Sequence, residues 1–181
     1  MRTLHFLSIF WLSISLSANP PVLNNASITH PEVGLEGMVV TQHYLASEVG
    51  EAILSKGGNA YDATIAVAFA LAVVLPRAGN IGGGGFTVLY NSSDESFQSL
   101  DYREKAPLAA SKNMYLDNNG DVISNLSTLG YKAIAVPGTV DGMWELHKRY
   151  GSMDWKELIL PSIKLAKDCL LYTSPSPRDR G

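Results

Sequence analysis

The stretch KGGNAYDATIAVAFALAVVLPRAGNIGGGGF, Lys56 to Phe86, decides how the rest of the chain is read. Ala63 to Leu75 contains no charged residue and is apolar around its whole circumference. A helix of that kind is buried in a core or in a membrane. The run is shorter than the roughly 20 residues a membrane span requires, so it is expected to be a central core helix. Alanines at 63, 66, 68, 70 and 72 allow close approach of a neighbour. Asp62 is expected to cap the helix and Pro76 to stop it. Beyond Pro76 stand the consecutive glycines Gly82, Gly83, Gly84 and Gly85. They cost the folded state backbone entropy, so bare backbone is needed where a strand or ligand comes close.

Working outward, Gly37 to Thr41 reads as a short buried strand. Ser47 reads as the N-cap of a helix whose buried stripe is Val49, Ala52 and Ile53 and whose end is Gly57-Gly58. After the glycines, Phe86 to Tyr90 and Phe97 to Tyr102 read as two strands around a polar turn, forming an antiparallel hairpin. If Tyr90 faces Phe97, then Phe86 faces Asp101 and Gly84 faces Arg103, with paired residues about 5 Å apart. A turn follows at Asn118-Asn119-Gly120-Asp121. Pro137-Gly138-Thr139 opens a helix that ends at Gly151. Asp154 and Glu157 form the pattern of a capping box. It opens a last helix with a stripe of Leu158, Ile159, Ile163 and Ala166 and a kink at Pro161.

The 181 residues are 46% hydrophobic and 17% charged, with a formal net charge of −3. That balance is globular and gives no electrostatic footprint for nucleic acid. Residues 1–18 read as an export signal: Arg2, an apolar run from Leu4 to Leu16, and small residues before Asn19. A polar linker, 19–36, is expected to follow, and the product to be periplasmic or extracellular, free of the membrane once the signal is removed. Cys169 is the single cysteine, so the core must hold without an intrachain disulfide. Asn-x-Ser/Thr triplets occur at Asn25, Asn91 and Asn125. From Cys169 the text turns abruptly to a Ser/Pro tract, read as a translated sequencing-library adapter; residues 169–181 are therefore expected to be non-native and the natural chain to continue past Asp168.

Few residues offer chemistry. The glycine run lacks the Gly-Lys-Ser/Thr ending of a phosphate loop and leads into a strand instead of a helix. Close packing is the plainer reading. His43 has no carboxylate, Cys or His at ligand spacing, and no metal set or Ser-His-Asp order is present. No cofactor or metal is expected. Arg103, between Asp101 and Glu104, reads either as a surface ion pair or as a planar fork receiving a substrate carboxylate.

Three phrases together carry a resemblance. Lys56–Phe86, Asp101–Pro107 (DYREKAP) and Val136–Gly142 (VPGTVDG) resemble the N-terminal half of the γ-glutamyltranspeptidase family, over about Gly37 to Asp168. The resemblance implies an α+β, N-terminal-nucleophile hydrolase fold, an αββα sandwich of which 37–168 is a part. It implies an exported zymogen that cleaves itself into a large and a small subunit. It further implies an enzyme, a γ-glutamyltransferase and glutathione hydrolase, whose new N-terminal threonine attacks the γ-glutamyl amide and passes the acyl group to water or an amine. That hydroxyl is activated by its own α-amine. Of the family's site residues only Arg103 carries over, as the arginine that pairs with the substrate α-carboxylate. The nucleophile falls beyond this sequence, so Thr41, Thr64, Thr87, Thr128 and Thr139 are not candidates and no catalytic residue is assigned. Two other readings stay open: an acylase of the same superfamily, and a non-catalytic module binding γ-glutamyl compounds.

Overall fold

The computed structural model describes residues 33–168. The export segment 1–18, residues 19–32 of the linker, Asn25 and the 169–181 tail with Cys169 lie outside them. Contacts divide the chain between Gly34 and Leu35, and everything below concerns Leu35 onward.

Four helices and one hairpin make up the fold: α1 (Tyr44–Ser55), α2 (Ala60–Val74), β1 (Phe86–Asn91), β2 (Ser96–Asp101), a short 3-10 turn (Tyr131–Ala133), α3 (Thr139–Tyr150) and α4 (Trp155–Lys167). The class is α+β. No helix of the described residues is long and apolar enough to cross a membrane.

The expected core helix is α2, against which α1, α3 and α4 all pack. Ile65, Ala66 and Ala70 are fully buried, with Ala63 nearly so. Its burial is less even than its composition: Leu71 to Leu75 are only half-buried. Ala46, Val49 and Ile53 of α1, Met143 and Leu146 of α3 and Leu158 of α4 complete the buried cluster. Phe69 meets Trp155 edge-on, and Trp155 in turn meets Trp144 edge-on.

Capping differs from the sequence reading in two places. Asp62 does not cap α2; Asn59 does, accepting from Tyr61 N–H and Asp62 N–H at 2.9 Å each. Asp62 sits in the first turn and reaches back to accept from Asn59 N–H at 3.0 Å, closing a reciprocal capping box. The box satisfies two orphan donors reciprocally, and that outweighs a cap by Asp62 alone. At α1 the cap is His43, not Ser47: its Nδ1 accepts from Leu45 N–H at 3.3 Å. Ser47 instead shares a hydrogen bond with Thr41. The end of α1 is as expected, with Gly57 at φ 91° and bonds from Gly57 N–H to Leu54 O and Gly58 N–H to Ile53 O. These are the paired bonds of a left-handed glycine stop.

Gly37 to Thr41 is not a strand. A ladder needs a partner, and the sheet of the described residues has two strands only. The segment packs against α1 instead. A Cβ on Gly50 would stand 2.7 Å from Val39 Cγ1 and 2.8 Å from Val67 Cγ2. In α4 the stripe is displaced. Leu158 and Ser162 are buried, whereas Ile163 and Ala166 are exposed, because the helix turns an i, i+4 face to the core. Asp154 caps α4 through Lys156 N–H, and the helix runs on through Pro161.

Asp62 ties the two helix–helix connections together. Its side chain is fully buried and accepts from Ser152 N–H at 3.0 Å, Met153 N–H at 3.4 Å and the Ser152 hydroxyl. Burial pushes this carboxyl up, but the bonds from Ser152, Asn59 and Met153 outweigh it and hold the group below its ordinary value of 3.8. Asp62→Ala would strand these donors, so urea denaturation at neutral pH is expected to show a loss of about 2–4 kcal/mol. A folded-state pKa below the unfolded one gives stability that is full above the ordinary carboxylate value and is lost as pH falls through the depressed one. The gap between wild type and Asp62→Ala should therefore narrow on acidification below about pH 4.

Candidate functional site

The hairpin forms in the expected register, Tyr90 opposite Phe97 and Phe86 opposite Asp101. Pairing runs one step further, since Tyr102 N–H donates to Gly85 O at 3.0 Å. A Cβ on Gly84 would stand 2.5 Å from Tyr102 O and 2.8 Å from Arg103 Cα. The glycine run and Arg103 therefore meet at the same end of the hairpin.

That junction is fastened to α3. Gly83 O accepts from Gly138 N–H at 2.7 Å and Thr139 N–H at 3.1 Å. Asn80 Oδ1 accepts from Gly83 N–H and from the Thr139 hydroxyl, each at 2.8 Å. Lys105 and Val136 exchange backbone bonds of 3.1 and 2.8 Å. Three separate stretches of sequence, around Gly82–Gly85, Asp101–Lys105 and Val136–Gly142, thus converge on one place. Tyr102 is at its centre. Its hydroxyl accepts from Thr87 Oγ1 at 3.2 Å, and its side chain fills the space that side chains on Gly85 and Gly142 would need.

Arg103 points away from this packing and is held at three points. Its N–H donates to Asp101 Oδ1 at 2.9 Å, its Nε donates to Glu104 Oε2 at 3.0 Å, and its guanidinium carbon lies 5.8 Å from the centre of the Phe86 ring. The Glu104 carboxyl is held below the usual carboxylate range by its own backbone N–H, by the bond and charge of Arg103, and by Gly84 N–H. With Nε committed to Glu104, the two Nη groups of Arg103 make no bond among the described residues. They form an outward edge with the planar geometry that a carboxylate fits bidentately. The side chain is 60% exposed and borders a cleft of about 160 Å³ whose lining also includes Lys105, Pro137, Gly138 and Asp141.

The remaining sequence candidates are used elsewhere. His43 is a helix cap stacked on Tyr44. Thr41, Thr64, Thr87, Thr128 and Thr139 donate their hydroxyls to His43 O, Ala60 O, Tyr102 Oη, Asn125 O and Asn80 Oδ1 respectively. No group of three or more metal-ligating side chains occurs among the described residues. Sequence reasoning missed Asn80, Tyr102, Glu104 and Phe86 as parts of this site. The signal for Glu104 and Tyr102 was present in their place beside Arg103; for Asn80 there was none.

Alanine normally gains about 1 kcal/mol over glycine within a helix. At Gly142 the sign should reverse, because its Cβ would stand 2.2 Å from Tyr102 Cγ and 2.6 Å from Tyr102 Cβ. Those are the root of the side chain and cannot swing away. Gly142→Ala is expected to destabilise by about 1–2 kcal/mol net in urea denaturation. Paired with Tyr102→Ala its cost should fall well below additive.

All three segments lie within the part of the chain that matches known proteins. A sequence model described as Gamma-glutamyltranspeptidase matches residues 46–172. The chain is 55% identical over 131 residues to a glutathione hydrolase proenzyme of Pseudomonas aeruginosa, covering 72% of this chain and 23% of that protein. Among solved structures it resembles the γ-glutamyltranspeptidase of Helicobacter pylori, with a TM-score of 0.70 and 51% identity over 76% of this chain and 39% of that one. It also resembles the enzyme of Pseudomonas nitroreducens complexed with L-DON, with a TM-score of 0.67 and 52% identity over 74% and 39%. The chain thus spans about a quarter of the curated relative's length, and its fold is that of part of these N-terminal-nucleophile hydrolases. It belongs to the γ-glutamyltranspeptidase family.

Proposed function

We propose that this chain is the leading part of the large subunit of an exported enzyme that cleaves γ-glutamyl amides, glutathione among them, and passes the γ-glutamyl group to water or to an amine. In this reading residues 1–18 are the export signal, 19–36 a linker and 37–168 the front of the large-subunit domain. Residues 169–181 are taken as the non-native tail, although the family match runs on to residue 172. The rest of the large subunit lies beyond Asp168, followed by the nucleophilic threonine at the head of a small subunit released by self-cleavage of the proenzyme, and that subunit is this chain's partner.

What carries the reading is the free Nη edge of Arg103 beside the bare glycine backbone. The γ-glutamyl group differs from a simple acyl chain by its α-carboxylate and α-ammonium. A carboxylate seated on both Nη groups would fix the acyl chain at its far end and leave its γ-carbonyl to reach the nucleophile. Glu104, by occupying Nε, directs the fork outward. Arg103 thus favours substrates with an α-carboxylate over those of an acylase lacking one.

Two measurements test this. Arg103→Ala in the full-length processed enzyme is expected to lower kcat/KM for a γ-glutamyl anilide by about 10- to 150-fold, the loss of one charge-assisted pair. An unchanged kcat/KM removes Arg103 from the site. The chain as it stands should show no hydrolysis of that anilide, and measurable turnover would overturn the assignment of the nucleophile to the missing part.

A further inference from the structure

Phe86 is the strand residue that follows the glycine run, at the end of the hairpin where Arg103 also lies, and it is 63% exposed among the described residues. Register explains what it faces. Phe86 pairs with Asp101, so the two side chains lie on the same face of the hairpin. Arg103, two residues beyond Asp101, returns to that face. Phe86 and Arg103 are therefore diagonal neighbours, within reach of an aromatic and a long side chain. The guanidinium carbon is 5.8 Å from the ring centre, inside the range in which a cation is attracted to an aromatic face. Nε is held at 3.0 Å by Glu104. The fork thus has one edge clamped and one face supported, and the Nη edge is what remains for a ligand.

We infer that Phe86 is a positioning residue for substrate recognition, holding the Arg103 guanidinium in the plane in which both Nη groups meet a carboxylate. This rests on the reading of Arg103 as the α-carboxylate receptor. An arginine side chain is rich in rotamers, and freezing it at the moment of binding costs affinity. A ring that pre-orders the fork removes part of that cost. The contribution is the same in the Michaelis complex and the transition state, because the carboxylate is remote from the bond that breaks, so it belongs in KM and not in kcat. The face-on geometry needs an aromatic ring: Tyr or Trp can substitute, while Leu keeps the apolar area and loses the attraction to the cation.

The experiment compares two substrates with the full-length processed enzyme: a γ-glutamyl anilide, and the 4-aminobutanoyl anilide, which lacks only the α-carboxylate. The ratio of their kcat/KM values reads carboxylate recognition and does not depend on how much of a preparation is folded. Phe86→Leu is expected to raise KM for the γ-glutamyl substrate about 3- to 10-fold with kcat within about twofold, and to lower the ratio by the same factor. Phe86→Trp should restore it. Arg103→Ala, run in parallel, should abolish the preference. If Arg103→Ala abolishes it and Phe86→Leu leaves the ratio unchanged, including by a parallel fall for both substrates, the role of Phe86 is overturned while that of Arg103 stands. If Arg103→Ala keeps the preference, the carboxylate reading itself fails and this inference fails with it.

Discussion

The placement of the site depends on one side chain that stands where two others are forbidden. The ring of Tyr102 occupies the volume a Cβ on Gly142 would need, 2.2 Å from its Cγ, and borders Gly85 at 3.0 Å. Its carbonyl lies 2.1 Å from where a Gly138 Cβ would stand. Glycine in the body of α3 costs that helix about 1 kcal/mol of propensity. The contact it permits seats the end of β2 directly on the first turn of α3. Side chains alternate along an extended chain. With Tyr102 locked inward, Arg103 has only the outward face to take. The inward wedge and the outward fork are one constraint seen from two sides.

The second constraint is the buried Asp62, which bonds the turn before α2 to the turn before α4, some ninety residues away. Its carboxylate meets four donors, which is how a buried charge is tolerated. Asp62, Ile65, Ala66 and Ala70 make the part of α2 before Leu71 the centre of the core. The half-burial of Leu71 to Leu75 shows where that core thins out, and the covering helix α4 likewise leaves Ile163 outside.

Much of this is legible in the amino-acid sequence. The hairpin register followed from matching Tyr90 to Phe97, and with it the meeting of Gly84 and Arg103. Gly57 and Pro76 marked helix ends because their backbone chemistry leaves little choice. What escaped were features set by reciprocity or distance. Asn59 and Asp62 are each competent caps, and only the closed box distinguishes their roles. Asn80 earns its place through Thr139, fifty-nine positions away, a contact that no local pattern encodes. Gly37 to Thr41 has the composition of a strand, but composition cannot supply the neighbour that would make it one. In α4 the apolar residues outnumber the core positions, so periodicity named a stripe from residues that are half on each side.

The hairpin's outer face gives the last constraint. Phe86, Val88, Tyr90 and Phe97 share it, each more than half exposed, and the Tyr90 and Phe97 rings lie 4.8 Å apart. A contiguous apolar face of that kind marks a surface made to be covered, and a covering sheet stacks about 10 Å away. Phe86 is the end of this row and also lies beside the Arg103 guanidinium. A layer that buried Phe86 as fully as Val88 would close the Nη edge of Arg103 to any ligand. A layer that stopped at Val88 would leave the fork open at the rim, with an apolar wall on one side and bare glycine backbone beside it. If Arg103 receives a carboxylate as proposed, its place is the margin of the covered face, where partial desolvation strengthens the attraction between ring and cation and the carboxylate still has a way in.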